Sequence, residues 1–162
     1  MFTFELHLNE LNLIYSVRIT KSKRMIKIEI QILEGQLDIE IKKAGDQYHL
    51  LVILSKSAYY KENGRAWNGK TTNQEAVHEI ARLIKGSYKN PSVPERITIA
   101  DGMQVNVDLN EEGEEIHFFI LNNFDEGTNE FRFMQKIVVL INELIPDDAL
   151  KKYSRVFWGA EL

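Results

Sequence analysis

The chain contains no cysteine. That excludes a disulfide framework, a thiol nucleophile and a thiolate metal site, and it suits a reducing compartment. Proline is scarce, at three in 162 residues, and glycine numbers nine. Neither level is that of a collagen or a low-complexity linker, and no internal repeat is visible. No run approaches the roughly 18 uninterrupted apolar residues of a membrane span. Residues 1–8 lack a basic region and a continuous apolar run, so they do not read as a signal peptide. The expectation is a soluble, cytoplasmic, single domain over residues 1–162.

One absence is local. Residues 101–130 hold no Lys or Arg, yet carry nine carboxylates: Asp101, Asp108, Glu111, Glu112, Glu114, Glu115, Asp125, Glu126 and Glu130. The formal charge of -4 conceals this, because residues 1–60 sum to +1, residues 61–100 to +3 and residues 101–162 to -8. Nucleic-acid binding is not expected of such a chain, since phosphate contacts need concentrated positive charge.

What is present alternates. Phe2, Phe4, Leu6 and Leu8, then Leu11 through Ile19, follow the period of two of a half-buried strand. Ile26, Ile28, Ile30 and Ile32 repeat the pattern, as do Leu37, Ile39 and Ile41, before the richer run 48–54 of a central strand. Short turns between these runs predict an antiparallel meander. Residues 55–70 read as a loop containing Tyr59, Tyr60, Arg65 and Trp67. Thr72 and Glu75 have capping-box spacing, and Ala76, Val77, Ile80, Leu83 and Ile84 predict a helix ending at Lys85-Gly86.

A second β unit follows. Asp101-Gly102 signals a hairpin, Met103 to Leu109 a strand, 110–115 a charged turn and 116–121 a further strand. From about Glu130 the period lengthens to that of a helix bearing Phe133, Ile137, Leu140, Ile141 and Leu144, although 131–133 also fits a short strand. Pro146 ends that helix, and Asp147 or Asp148 can cap a last short one. The predicted fold is α+β: a mostly antiparallel sheet, an N-terminal meander plus a later β unit, packed on two or three helices. Leu83, Ile84, Ile137 and Leu144 are expected in its core.

Chemical motifs are few. His7, His49, His78 and His117 are widely separated, and the one Glu75/His78 pair lacks the second copy that a di-iron bundle needs. Asp108 to Gly113 resembles half a calcium loop, but its twelfth position is Phe119 rather than glutamate. No nucleophile elbow, dinucleotide fingerprint or phosphate loop occurs. Lys21, Lys23, Arg24 and Lys27, like Lys42 and Lys43, read as solvated hairpin ends. No metal, cofactor or catalytic residue is therefore expected.

In size, composition and layout the whole chain resembles small bacterial immunity and antitoxin-type proteins, without sharing a motif with them. The resemblance implies a non-enzymatic, protein-binding role: neutralising a basic toxin or effector through an acidic face. That face would comprise Asp108, Glu111, Glu112, Glu114, Glu115, Phe124, Asp125, Glu126 and Glu130. Three other classes stay open. One is a ligand-binding protein or enzyme with a pocket under residues 55–70. Another is a homo-oligomeric structural domain using a sheet edge or Phe157-Trp158. The last is a domain with a different cellular partner.

Overall fold

A computed structural model describes residues 23–32, 35–56, 64–92, 104–121, 127–148 and 150. The strands expected within 1–19, the Asp101-Gly102 turn and the Phe157-Trp158 pair lie outside these residues. The described chain is an α+β fold. Its elements are β1 (Lys23–Ile32), β2 (Gly35–Ala44), β3 (Gln47–Lys56), β4 (Arg65–Thr71), α1 (Gln74–Lys89), β5 (Gln104–Glu111), β6 (Glu114–Leu121) and α2 (Asn129–Leu144). The strands form one antiparallel sheet in the order β4-β3-β2-β1-β5-β6. The meander runs outward from β1 to β4, and the later hairpin adds to the free side of β1.

Alternation decides which face meets the helices. Ile26, Ile28 and Ile30 of β1 pair in register with Ile41, Ile39 and Leu37 of β2 on one side, and with Leu109, Val107 and Val105 of β5 on the other. All nine are buried, with Tyr48, Leu50 and Val52 of β3 beside them. Against this face α1 contributes Val77, Ile80, Ala81, Leu83 and Ile84, and α2 contributes Phe133, Met134, Ile137, Leu140 and Ile141. The two helices pack on each other, α2 reaching β4 and α1 reaching β3, β5 and β6. Leu144 is only partly buried, packing at the rim of the core.

Three local expectations change, and one alternative is decided. Residues 65–71 are a strand, not a loop: β4 pairs with β3 from Tyr48↔Thr71 to Leu54↔Arg65. Its weak apolar content (Arg-Ala-Trp-Asn-Gly-Lys-Thr) hides it from any periodicity, and the partner strand supplies the order. The α1 N-cap is Asn73 rather than Thr72, with Asn73 Oδ1 accepting from Ala76 N at 3.1 Å. Helix α1 also runs through Gly86 to Lys89. Gly86 serves packing there, because a Cβ at that position would sit 2.7 Å from Asn129 Nδ2 at the start of α2. Residues 131–133 are helical, since Thr128 caps α2 by accepting from Phe131 N at 3.2 Å. The end of α2 before Pro146 and the Asp147 cap, whose Oδ1 accepts from Leu150 N at 3.3 Å, agree with the sequence reading.

Candidate functional site

Asp108, Glu111, Glu112, Glu114 and Glu115 gather at the hairpin end of β5 and β6, while Glu130 lies on α2. Strands β5 and β6 meet in a two-residue turn, Glu112-Gly113, with φ of 53° and 85°. Two successive left-handed residues match the twist of a tight hairpin, and glycine adopts that conformation at no steric cost. The turn leaves Glu112, Glu114 and Glu115 exposed. Asp108 and Glu115 lie on the face away from the helices, where Asp108 accepts from His117 Nδ1 and Glu115 Oε1 accepts from Asn110 Nδ2 at 2.9 Å. Those cross-strand bonds occupy Asp108 and Asn110, so the calcium-like spacing becomes a hairpin.

Glu111 faces the helices and is held there. Its Oε2 lies 2.9 Å from Lys85 Nζ, which also reaches Glu114 Oε2 at 3.1 Å. Its Oε1 lies 2.8 Å from His78 Nδ1. A carboxylate can only accept, so Nδ1 carries a proton. Tyr48 Oη, 3.2 Å from His78 Nε2, donates to that nitrogen when the ring is neutral. The result is a chain from the core to the surface: Tyr48, His78, Glu111, Lys85, Glu114. Burial alone would raise the Glu111 carboxyl, but the bonds from Lys85 and His78 outweigh it and hold the group below its ordinary value. Hydrogen bonds to Glu111 and then Glu114 raise Lys85 above its own.

This chain carries a pH signature. Because the folded-state value of Glu111 is depressed, its contribution is complete above the unfolded value and is lost as pH falls through the folded one. Glu111→Gln should therefore destabilise the protein by about 1 kcal/mol at neutral pH, a figure kept low by the exposure of His78. The difference should shrink as pH drops below the ordinary 4.5. Urea titrations of both proteins across that range provide the check; a difference that persists in acid would place the effect outside the carboxylate.

Glu130 departs furthest from the expected face. It is buried at 5% exposure, and its carboxylate accepts from Ser92 N at 3.2 Å and Ser92 Oγ at 2.7 Å. It tethers the segment after α1 to the first turn of α2. Phe124, Asp125 and Glu126 lie outside the described residues.

The absence of Lys and Arg from 101–130 is not an absence of positive charge around them. Besides Lys85, the start of β1 lies beside the hairpin. A register shift between Arg24 and Ile26 places Met25 in the core, and the β1–β5 pairing stops at Ile26↔Leu109 while the β1–β2 pairing continues to Lys23↔Lys43. The sheet opens there into a groove of about 660 Å³. Lys23, Arg24 and Lys27 form one wall, and Asp108, Glu115 and His117 the other. Lys27 is bonded to Glu29, while Arg24 and Lys42 share Glu40 at 3.8 and 2.8 Å. Arg24, Lys27, Asp108, Glu115 and His117 on these walls are thus already bonded to neighbours.

Of the remaining candidates, Trp67 and His78 have partners in the fold. Trp67 packs against the core and donates from Nε1 to Asp147 at 2.9 Å, pinning β4 to the end of α2. Arg65 opens the same strand, while Tyr59 and Tyr60 lie outside the described residues. His78 bonds Tyr48 and Glu111 rather than sharing a ligand site with Glu75. Among the described residues no group of three or more His, Asp or Glu side chains could hold a metal ion, and no helix is long and apolar enough to cross a membrane. Sequence reasoning missed the Tyr48–His78–Glu111 chain, because its members come from β3, α1 and β5 with no local spacing to link them. Comparison with protein-family models, with curated proteins and with solved structures gives no match.

Proposed function

We propose that this is a non-enzymatic protein-binding domain, of the immunity or inhibitor kind, that meets a basic surface on its partner with the β5–β6 hairpin end. The observation that supports the reading is the presentation of Glu112, Glu114 and Glu115. These three exposed carboxylates sit around a two-residue turn, and the ion pairs of Lys85 brace it from behind. A braced turn loses little conformational entropy on docking, and a concentrated negative end speeds encounter with a positive surface. Glu111 is a brace in this reading, and Glu130 plays no part in contact.

The test is capture from the source cell at low salt, using the chain and its Glu112→Gln/Glu114→Gln/Glu115→Gln variant as baits. A basic protein retained by the chain, released by salt and associating roughly tenfold or more slowly with the variant is expected. Equal association with both baits would remove the hairpin from the interface. The three residues are exposed, so circular dichroism should report the same fold for both proteins.

A further inference from the structure

The two edges of the sheet are not alike. At one edge β4 is tied to the end of α2, by Trp67 to Asp147 and by the approach of Leu144 to Gly69, and the strand carries the charges Arg65 and Lys70. At the other edge lies β6, whose outer side has no pairing strand among the described residues. Its register with β5 runs unbroken from Gln104↔Leu121 to Glu111↔Glu114, with no bulge, proline or lysine along it. Natural edge strands are blunted by such features because a long, flat, apolar edge is a template for pairing. The exposed large hydrophobics point to the same place. Among the described residues they are Phe119 at 61%, Tyr88 at 51% and Val139 at 44%. Phe119 is on β6 itself, on the face away from the helices. Tyr88 stands on the helix side, its ring 6.0 Å from that of Phe118. Two of the three therefore flank one strand from opposite faces.

We propose that two copies of this chain join through β6, antiparallel about a two-fold axis through Phe118, so that the sheet continues from one copy into the other. The pattern along the strand is self-complementary under a two-fold, and its charge selects the direction. The carboxylates of β6 are all at its start, Glu114 and Glu115, and Ile116 to Leu121 is apolar apart from His117. A parallel pairing would set four carboxylates side by side, which is unfavourable. The antiparallel two-fold sends them to opposite ends and brings the apolar halves together. An axis normal to the sheet keeps helix-side residues opposite helix-side residues, so only alternate registers are open to it. The register through Phe118 sets Ile116 against Ile120 and His117 against Phe119. One step back, through His117, it would set Glu115 against Phe119. The hairpin turns then project at the two extremes of the pair, which leaves Glu112 free, while Glu115 is set opposite Leu121 of the other copy.

Sedimentation equilibrium of the full chain, from low to high micromolar, tests the proposal. The mass should rise from 18.8 kDa towards twice that value. Phe119→Lys should weaken association roughly tenfold or more without changing the circular dichroism, while Val139→Lys on α2 should leave it intact. The chain has no cysteine of its own, so the register can be read by oxidation. A mixture of His117→Cys and Phe119→Cys chains should cross-link faster than either variant alone. A mass of one chain at every concentration, a dimer indifferent to Phe119→Lys, or no preference for the mixed cross-link would each overturn the proposal.

Discussion

Phe133→Ala will cost about 3–5 kcal/mol, the range measured for emptying a buried aromatic site. Phe133 is fully buried on α2, in the core cluster that joins both helices to the sheet. Its removal forfeits the transfer energy of the ring and leaves a cavity that the surrounding strands and helices can only partly close. A domain whose whole stability is about 5–15 kcal/mol loses a large share of it in this one substitution. Urea unfolding should show a lower midpoint with an unchanged slope. A loss below about 1 kcal/mol would mean that α2 does not pack as described.

Gly69 is the second site of large effect, and there the sign is informative. Glycine inside a strand is ordinarily a weakness, and replacing it with alanine commonly stabilises by about 0.4–1 kcal/mol through the unfolded state. Here a Cβ would meet Leu144 Cβ at 2.8 Å and the Leu144 carbonyl oxygen at 3.1 Å. Gly69→Val should therefore destabilise by about 1–3 kcal/mol, as overpacking does. Gly69→Ala should lose stability where a free strand position would gain it. Leu144→Ala should not rescue either variant, because the clashing Cβ and carbonyl both remain. In a Trp158→Phe background, Trp67 fluorescence should shift as α2 is pushed from β4. A neutral Gly69→Val would show that the helix end can move aside.

Much of this fold was legible in the residues themselves. The isoleucines at 26, 28 and 30 alternate with charged partners, and a strand with one wet face is the arrangement that buries all of one set. The stripe of Phe133, Ile137, Leu140 and Ile141 repeats at helical spacing, and Pro146 stops it because proline cannot continue the hydrogen-bond ladder. Strand β4 was not legible, since Arg65 to Thr71 carries little apolar alternation. Its order comes from hydrogen bonds to β3 and from the Trp67 bond to Asp147. Gly86 misled for a related reason: its composition suggests a helix stop, while its role is to let Asn129 approach.

The acidic stretch divides along the same line. By itself the sequence determined that residues 101–130 hold nine carboxylates and no Lys or Arg, that a tight turn lies among them, and that no cysteine chemistry is available. Only the tertiary structure decided their partners. Lys85 comes from a helix to neutralise Glu111 and Glu114, Glu130 is buried against Ser92, and the basic start of β1 lies beside Asp108 and Glu115. Charge is counted along the chain, but its energy depends on distance and burial. Those are settled when the later hairpin adds to the free side of β1 and the helices close over one face of the sheet.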